Sequence, residues 1–169
     1  MAKVFRNFME MSAALKKVTE DFTKDARGIV EINLGDMELQ AIRDAPGPSE
    51  PIETTHGPES QSDIARGRNW VPISQAIGYY LDVPSKGLKG TVFVDIAAGP
   101  IAAWTEFGTG QSAAYYVNSL PPEFQAIAKR FYLTGRGTIR EQAYLLPAFF
   151  KYSVQFKKEM AEAVKNISF

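Results

Sequence analysis

Residues 78–96 read GYYLDVPSKGLKGTVFVDI. Thr91-Val92-Phe93-Val94-Asp95-Ile96 is rich in β-branched and aromatic residues and predicts a strand. Gly78-Tyr79-Tyr80-Leu81-Asp82-Val83 predicts another, stopped by Pro84. Ser74–Ile77 is placed to begin it. Between them, Ser85-Lys86-Gly87-Leu88-Lys89-Gly90 has turn chemistry, so the stretch reads as an antiparallel hairpin.

Outward from this hairpin the periodicity changes to that of helices. Upstream, Phe8, Met11, Leu15, Val18, Phe22, Ala26 and Ile29 recur at spacings of three and four, which puts them on one helix face. Lys16, Lys17, Glu20, Asp21, Lys24 and Asp25 form a solvated face. Gly28 is placed to kink the helix, and Met37, Leu39 and Ile42 carry it toward Ala45. Such a helix is too long to hide its stripe on a small sheet. The rest of the stripe packs either in its own domain or against a neighbouring subunit. Downstream, Pro121 and Pro122 suit the first turn of a short helix with Phe124, Ile127, Ala128 and Phe131 on one face. A last helix starts near Pro147, with Phe149, Tyr152, Phe156, Met160, Ala163 and Ile167 as its stripe. Strands clustered between helices predict an α+β domain over residues 1–169: a long N-terminal helix, a small antiparallel sheet and a C-terminal helix packed on the sheet.

From Ala45 to Arg68 the chain changes character. Pro46, Pro48, Pro51 and Pro58, with Gly47, Gly57 and Gly67, predict a flexible loop or arm without helix or central strand. Loops of this length usually carry function or reach a partner.

Composition excludes several function classes. Hydrophobic residues make up 45% of the 169, enough for a real core. Lys plus Arg equals Asp plus Glu at 19 each, which argues against nucleic-acid binding by bulk charge. Without cysteine there is no disulfide framework and no thiolate metal site. No run approaches the roughly 18 apolar residues of a membrane span. No apolar stretch of signal-peptide length follows Lys3 and Arg6. These observations predict a soluble protein, with no membrane partner, that stays where it is made unless it leaves inside an assembly.

Candidate chemistry is sparse. His56 is the single histidine and sits in the Pro/Gly-rich stretch, where catalysis lacks rigid positioning. Glu106 is the best-placed acid: flanked by Trp104, Phe107 and Gly108, it would have a raised pKa if buried and would suit general acid work in a small hydrolase. The simpler reading makes Glu106 an acceptor for the N–H groups of the following Gly-Thr-Gly turn, or the partner of an arginine. Gly108-Thr109-Gly110 and Gly135-Arg136-Gly137-Thr138 lack the lysine of a phosphate-binding P-loop and read as tight turns. Arg66-Gly67-Arg68-Asn69-Trp70 has the vocabulary of a nucleic-acid contact, and with Arg136 it defines a second alternative, a nucleic-acid-binding module.

Two elements carry a family resemblance. Ile101-Ala102-Ala103-Trp104-Thr105-Glu106-Phe107-Gly108-Thr109 and Gln142-Ala143-Tyr144-Leu145-Leu146-Pro147-Ala148-Phe149 resemble a pattern of the gene-ten-type tail-component family of tailed bacteriophages, the neck or tail-completion proteins. There a "YA-x-x-x-E-F-G-T" element follows a strand, and an "A-x-P-F-L-x-P-A-F" element begins a C-terminal helix. Glu106, Phe107, Gly108 and Thr109 match, as do Leu145, Pro147, Ala148 and Phe149. Ile101 stands in the tyrosine place, Tyr144 where phenylalanine is usual, and Ala143 where proline is usual. Asp63–Arg68 only loosely fills the place of the family's "D-T-G-x-L-R" element, and the insertion from Gln111 to Glu141 is longer than in compact members. The resemblance implies a non-catalytic virion protein without cofactor, assembled in the host cytoplasm. It implies a homo-oligomeric ring that completes the tail or joins it to the portal, beside other neck, connector or tail proteins, with non-specific contact to DNA in the channel. Arg66, Arg68, Trp70, Tyr115, Tyr116 and Phe131 are the candidate interface residues, since exposed aromatics and arginines favour interfaces.

Overall fold

A computed structural model describes residues 8–47, 51–54, 57–60, 64, 70–84, 87–129 and 139–167. The described elements in chain order are α1 (Phe8–Asp44), β1 (Pro51–Thr54), β2 (Gly57–Ser60), α2 (Ile73–Ala76), β3 (Ile77–Asp82), β4 (Lys89–Val94), a 3₁₀ turn (Ile96–Ala98), α3 (Ile101–Phe107), α4 (Gly110–Ser119), α5 (Pro122–Ala128) and α6 (Leu145–Lys165). The protein is α+β and mostly helical.

Helix α1 runs unbroken through Gly28, so that glycine does not end it. Its buried face is Ala26, Val30, Asn33, Leu34, Met37 and Ala41. Among the described side chains of α1, Ala26 is the first buried apolar one, Val18 and Phe22 are half-buried, and Leu15 and Met9 are exposed. Helix α6 lies antiparallel beside α1. Asn33 Nδ2 donates to Glu159 Oε2 at 2.6 Å, and Lys151 Nζ donates to Gln40 Oε1 at 2.9 Å.

The hairpin is present: β3 and β4 pair antiparallel, from Ile77 opposite Val94 to Asp82 opposite Lys89. Its start differs from the sequence reading, because Ile73–Ala76 forms a helical turn rather than strand. The hairpin packs on α1 at close range. A Cβ on Gly90 would come within 2.6 Å of the Leu34 Cδ1 methyl, so the missing side chain lets the strand lie close to the helix without displacing that leucine.

The Pro/Gly-rich stretch also differs from the expected loop. β1 and β2 form an antiparallel ribbon, Pro51 opposite Ser60 and Thr54 opposite Gly57. Ile52 is fully buried beside Met37, Ala41, Ile73 and Ile77. In a ribbon of two strands each strand is an edge, so Pro51 and Pro58 are tolerated where a central strand would reject them. His56, Arg66 and Arg68 lie outside the described residues.

The insertion contains α4 and α5, and α5 opens at Pro122 as its prolines predict. A second apolar cluster forms there from Phe107, Val117, Leu120, Ala128 and Leu146. Phe131 and the Gly135–Thr138 turn lie outside the described residues. Among the described residues no helix is long and apolar enough to cross a membrane.

Candidate functional site

The site is a clasp between α3 and the start of α6. Asp95 follows β4, and its carboxylate accepts the N–H of Ala97 at 2.7 Å, opening the 3₁₀ turn. Gly99, at φ 65°, turns the chain under the Trp70 indole, leaving no room for a Cβ. Helix α3 follows, with Ile101, Ala102, Thr105 and Glu106 buried. It ends at Gly108, whose φ of 74° and ψ of −177° define a region that is essentially glycine-only. A Cβ there would stand 3.0 Å from the Glu141 backbone nitrogen.

Beyond that turn the returning chain is tied to α3. Thr109 N–H donates to the Ile139 carbonyl at 2.8 Å, while Thr109 Oγ1 accepts the Ile139 N–H at 2.9 Å. Gln142 N–H donates to the Thr105 carbonyl at 2.8 Å. These bonds deliver the first residues of α6 to Glu106. Its Oε2 accepts the N–H groups of Tyr144 and Leu145, both at 2.8 Å, and its Oε1 accepts that of Leu146 at 2.9 Å.

This solves a definite problem of the helix start. The first backbone N–H groups of a helix have no partner within it and need one when buried. Tyr144 carries no side-chain cap, and none of Gln142, Ala143 and Tyr144 is a strong N-capping type. Glu106 takes the N–H groups at the cap and the first two helical positions. The third helical position is Pro147, which has no N–H to satisfy. The positive end of the helix dipole also favours a carboxylate there.

Burial pushes the Glu106 carboxyl above its ordinary value, while the N–H groups of Leu145, Tyr144 and Leu146 pull it back down. The Tyr144 side chain is buried too, and its hydroxyl donates to the Ala102 carbonyl at 3.2 Å. Burial, then the Glu106 charge, push the Tyr144 phenol well above the usual range. The Tyr116 phenol is pushed up to about 12 by burial and then by Glu106 and Glu141.

The predicted elements therefore come together, but through different bonds. Glu106 reaches across to α6, and among the described residues it neither caps its own Gly-Thr-Gly turn nor pairs with an arginine. Phe107 packs in the second cluster. Ala148 is buried, Leu145 is half-buried and Pro147 is exposed. Phe149 meets Phe124 edge-on at 5.4 Å and Phe150 at 5.8 Å. Of the interface candidates, Tyr115 is exposed. Tyr116 instead packs half-buried on the Phe107 cluster, because it shares a helix face with Ala113, Val117 and Leu120. Trp70 is half-buried and edge-on to Trp104 at 6.3 Å. Ile139 was not singled out from sequence, and Tyr144 entered only as a departure from the family element. The signal for the clasp was negative: a proline-containing first turn with no capping residue before it.

A cavity of about 830 Å³ lies beside the clasp, between Met37, Val92 and Val94 on one side and Phe107, Phe124 and Phe149 on the other, with Glu106 in its wall. Both Glu106 oxygens are engaged by backbone donors, which suits a joint more than an acid that must exchange protons with a substrate. Arg136, needed by the nucleic-acid alternative, lies outside the described residues with Arg66 and Arg68. The chain matches no family model, and no curated protein or solved structure matches it.

Proposed function

We propose that this chain is a structural virion protein of a tailed bacteriophage, completing the tail or joining it to the portal as part of an oligomeric ring. The reading rests on the two elements Glu106–Thr109 and Leu145–Phe149 in their order. The observation that carries it is the bonding of Glu106 to the N–H groups of Tyr144, Leu145 and Leu146. Two short elements separated by some forty residues are independent coincidences if they serve separate tasks. Here they are the two halves of one joint, so their joint presence carries more weight than either motif alone. A joint of this kind builds a rigid subunit and uses the best-placed acid of the chain for architecture. The hydrolase reading therefore loses its proton donor to a structural task.

Negative-stain imaging of the purified protein tests this. Rings of uniform diameter, and labelling of the neck or tail end in intact particles, are the expected result. A protein that stays monomeric at high concentration and is missing from purified particles would sink the reading.

A further inference from the structure

We infer that β4 pairs along its open edge, antiparallel, with β4 of a second copy of this chain, joining two hairpins into one four-stranded sheet. The hairpin's own register fixes which backbone groups are open. The Asp95 N–H donates to the Ala76 carbonyl at 2.7 Å, so this pair, one step beyond Ile77 and Val94, is hydrogen-bonded. Bonded and non-bonded pairs alternate along an antiparallel ladder. Lys89, Thr91 and Phe93 therefore turn their backbone groups toward β3, and Gly90, Val92 and Val94 turn theirs outward. Among the described residues β3 is the only strand beside β4, and those outward N–H and C=O groups have no hydrogen-bond partner within the chain. The flank is open as well, since the cavity of about 830 Å³ runs along Gly90, Thr91, Val92 and Val94. An edge of this kind is a template for another strand, and proteins blunt the edges they leave exposed with proline or charge. The β1–β2 ribbon carries Pro51, Glu53, Pro58 and Glu59. Between Lys89 and Asp95, β4 has neither proline nor charge.

Charge selects the occupant. Outward groups must meet outward groups, so a second β4 centres on Val92. Val92 then faces the second copy's Val92, and Gly90 faces its Val94. The same register sets Lys89 opposite the second copy's Asp95, and Asp95 opposite its Lys89. Both side chains are exposed, and neither is in an ion pair among the described residues. One Asp95 oxygen holds the Ala97 N–H, which leaves the other to face the lysine. Lys89, Thr91, Phe93 and Asp95 take the non-hydrogen-bonded positions, where side chains of paired strands stand closest. Thr91 against Phe93 is a favourable branched–aromatic pair there. Each of these pairs occurs twice, as a two-fold axis requires. The other edge, β3, offers less. Its outward residues are Ile77, Tyr79 and Leu81, and two copies of β3 centred on Tyr79 set Asp82 opposite Ala76. Laying β4 on β3 of another copy matches Lys89 with Asp82 but leaves Asp95 facing Ala76. Of the three arrangements, β4 on β4 alone matches both charges. The pairing uses neither element of the clasp, so it stands apart from the virion reading.

Sedimentation of the full chain across concentration reads the association, with the fluorescence of Trp70 and Trp104 reporting that the core stays folded. Val92→Pro removes the N–H at the two-fold axis, and with it both central bonds between the copies. That N–H takes no part in the β3–β4 ladder, and an edge strand tolerates proline at such a place. The variant is expected to weaken association by about tenfold or more. Lys89→Glu weakens it as well, by setting like charges opposite. The chain has no cysteine, so single thiols report the register and leave Val92 intact. Thr91→Cys and Phe93→Cys chains, mixed, should form a disulfide with each other more readily than either forms with itself. A chain that is monomeric at every concentration overturns this inference and removes support from the ring reading too. Association that a folded Val92→Pro leaves unchanged overturns this inference alone, as do thiols at 91 and 93 that do not prefer each other. Preferential cross-linking of Thr91→Cys with Tyr80→Cys chains also overturns it, and places β4 on β3 of the next copy. Should Val92→Pro fail to fold, the thiol pairs decide.

Discussion

Replacing Glu106 by alanine should unfold the start of α6 before anything else fails. The side chain accepts three backbone N–H groups at 2.8, 2.8 and 2.9 Å, and Tyr144 and Leu146 are buried. Each donor left without a partner costs about 1–3 kcal/mol, so the gross penalty is about 3–9 kcal/mol. Removing the carboxylate also removes the cost of burying it, which offsets part of that sum. A single ordinary cap contributes about 0.5–2 kcal/mol. We therefore expect a net loss of about 2–4 kcal/mol for Glu106→Ala, a large share of the roughly 5–15 kcal/mol that holds a typical domain together. Glu106→Gln is the discriminating control. Its carbonyl oxygen can still accept from Tyr144 and Leu145, but its amide nitrogen meets the Leu146 N–H donor to donor, so it should lose about 1–3 kcal/mol. Urea unfolding followed by tryptophan fluorescence gives both values, and hydrogen exchange localises the loss to Tyr144–Leu146. If alanine falls within about 0.5 kcal/mol of wild type, or is no worse than glutamine, the clasp does not hold the helix start and the reasoning fails.

Three further outcomes follow from the same joint. Because burial raises the Glu106 carboxyl above its ordinary value of 4.5, its titration adds stability that is fully present below that value and is lost as pH rises through the folded-state value. The stability difference between wild type and Glu106→Gln should shrink over that window, as pH-dependent urea titrations would show, and a widening difference would contradict it. Gly108→Ala forces a side chain into a glycine-only conformation against the Glu141 backbone and should cost about 1–3 kcal/mol in thermal unfolding. The Thr105 hydroxyl is buried with no hydrogen-bond partner among the described residues, so Thr105→Val should be neutral or stabilise by about 1 kcal/mol; a clear loss would reveal a partner for that hydroxyl.

The parts of the fold that were legible in the sequence are those whose signal is local. Thr91–Val94 announces a strand by its branched and aromatic residues, and the stripes of α1 and α6 repeat at helical spacing. The ribbon at Pro51–Ser60 was not legible, because its prolines and glycines imitate a loop while Ile52 ties it to the core. The stripe of α1 was legible as a pattern, but where it is covered depends on how far α6 reaches, which no local signal encodes. Glu106 stood out as an unusual acid because of its apolar neighbours. Its partners were hidden, since they are backbone N–H groups and every residue but proline has one.

The clasp also separates two kinds of change that this chain can undergo. Its two halves are drawn together by bonds at Glu106, Thr109 and Gln142, and the excursion through α4 and α5 leaves and re-enters at that one place. Doubling the length of a flexible excursion raises its closure cost by only about 0.6 kcal/mol. Segments of other lengths can therefore be exchanged between Gly110 and Ile139 at small closure cost, provided that they keep the contacts of Val117, Leu120 and Ala128 with Phe107 and Leu146. Diversification of the subunit's outer face is cheap there, whereas the residues that buckle the ends together have almost no freedom to vary.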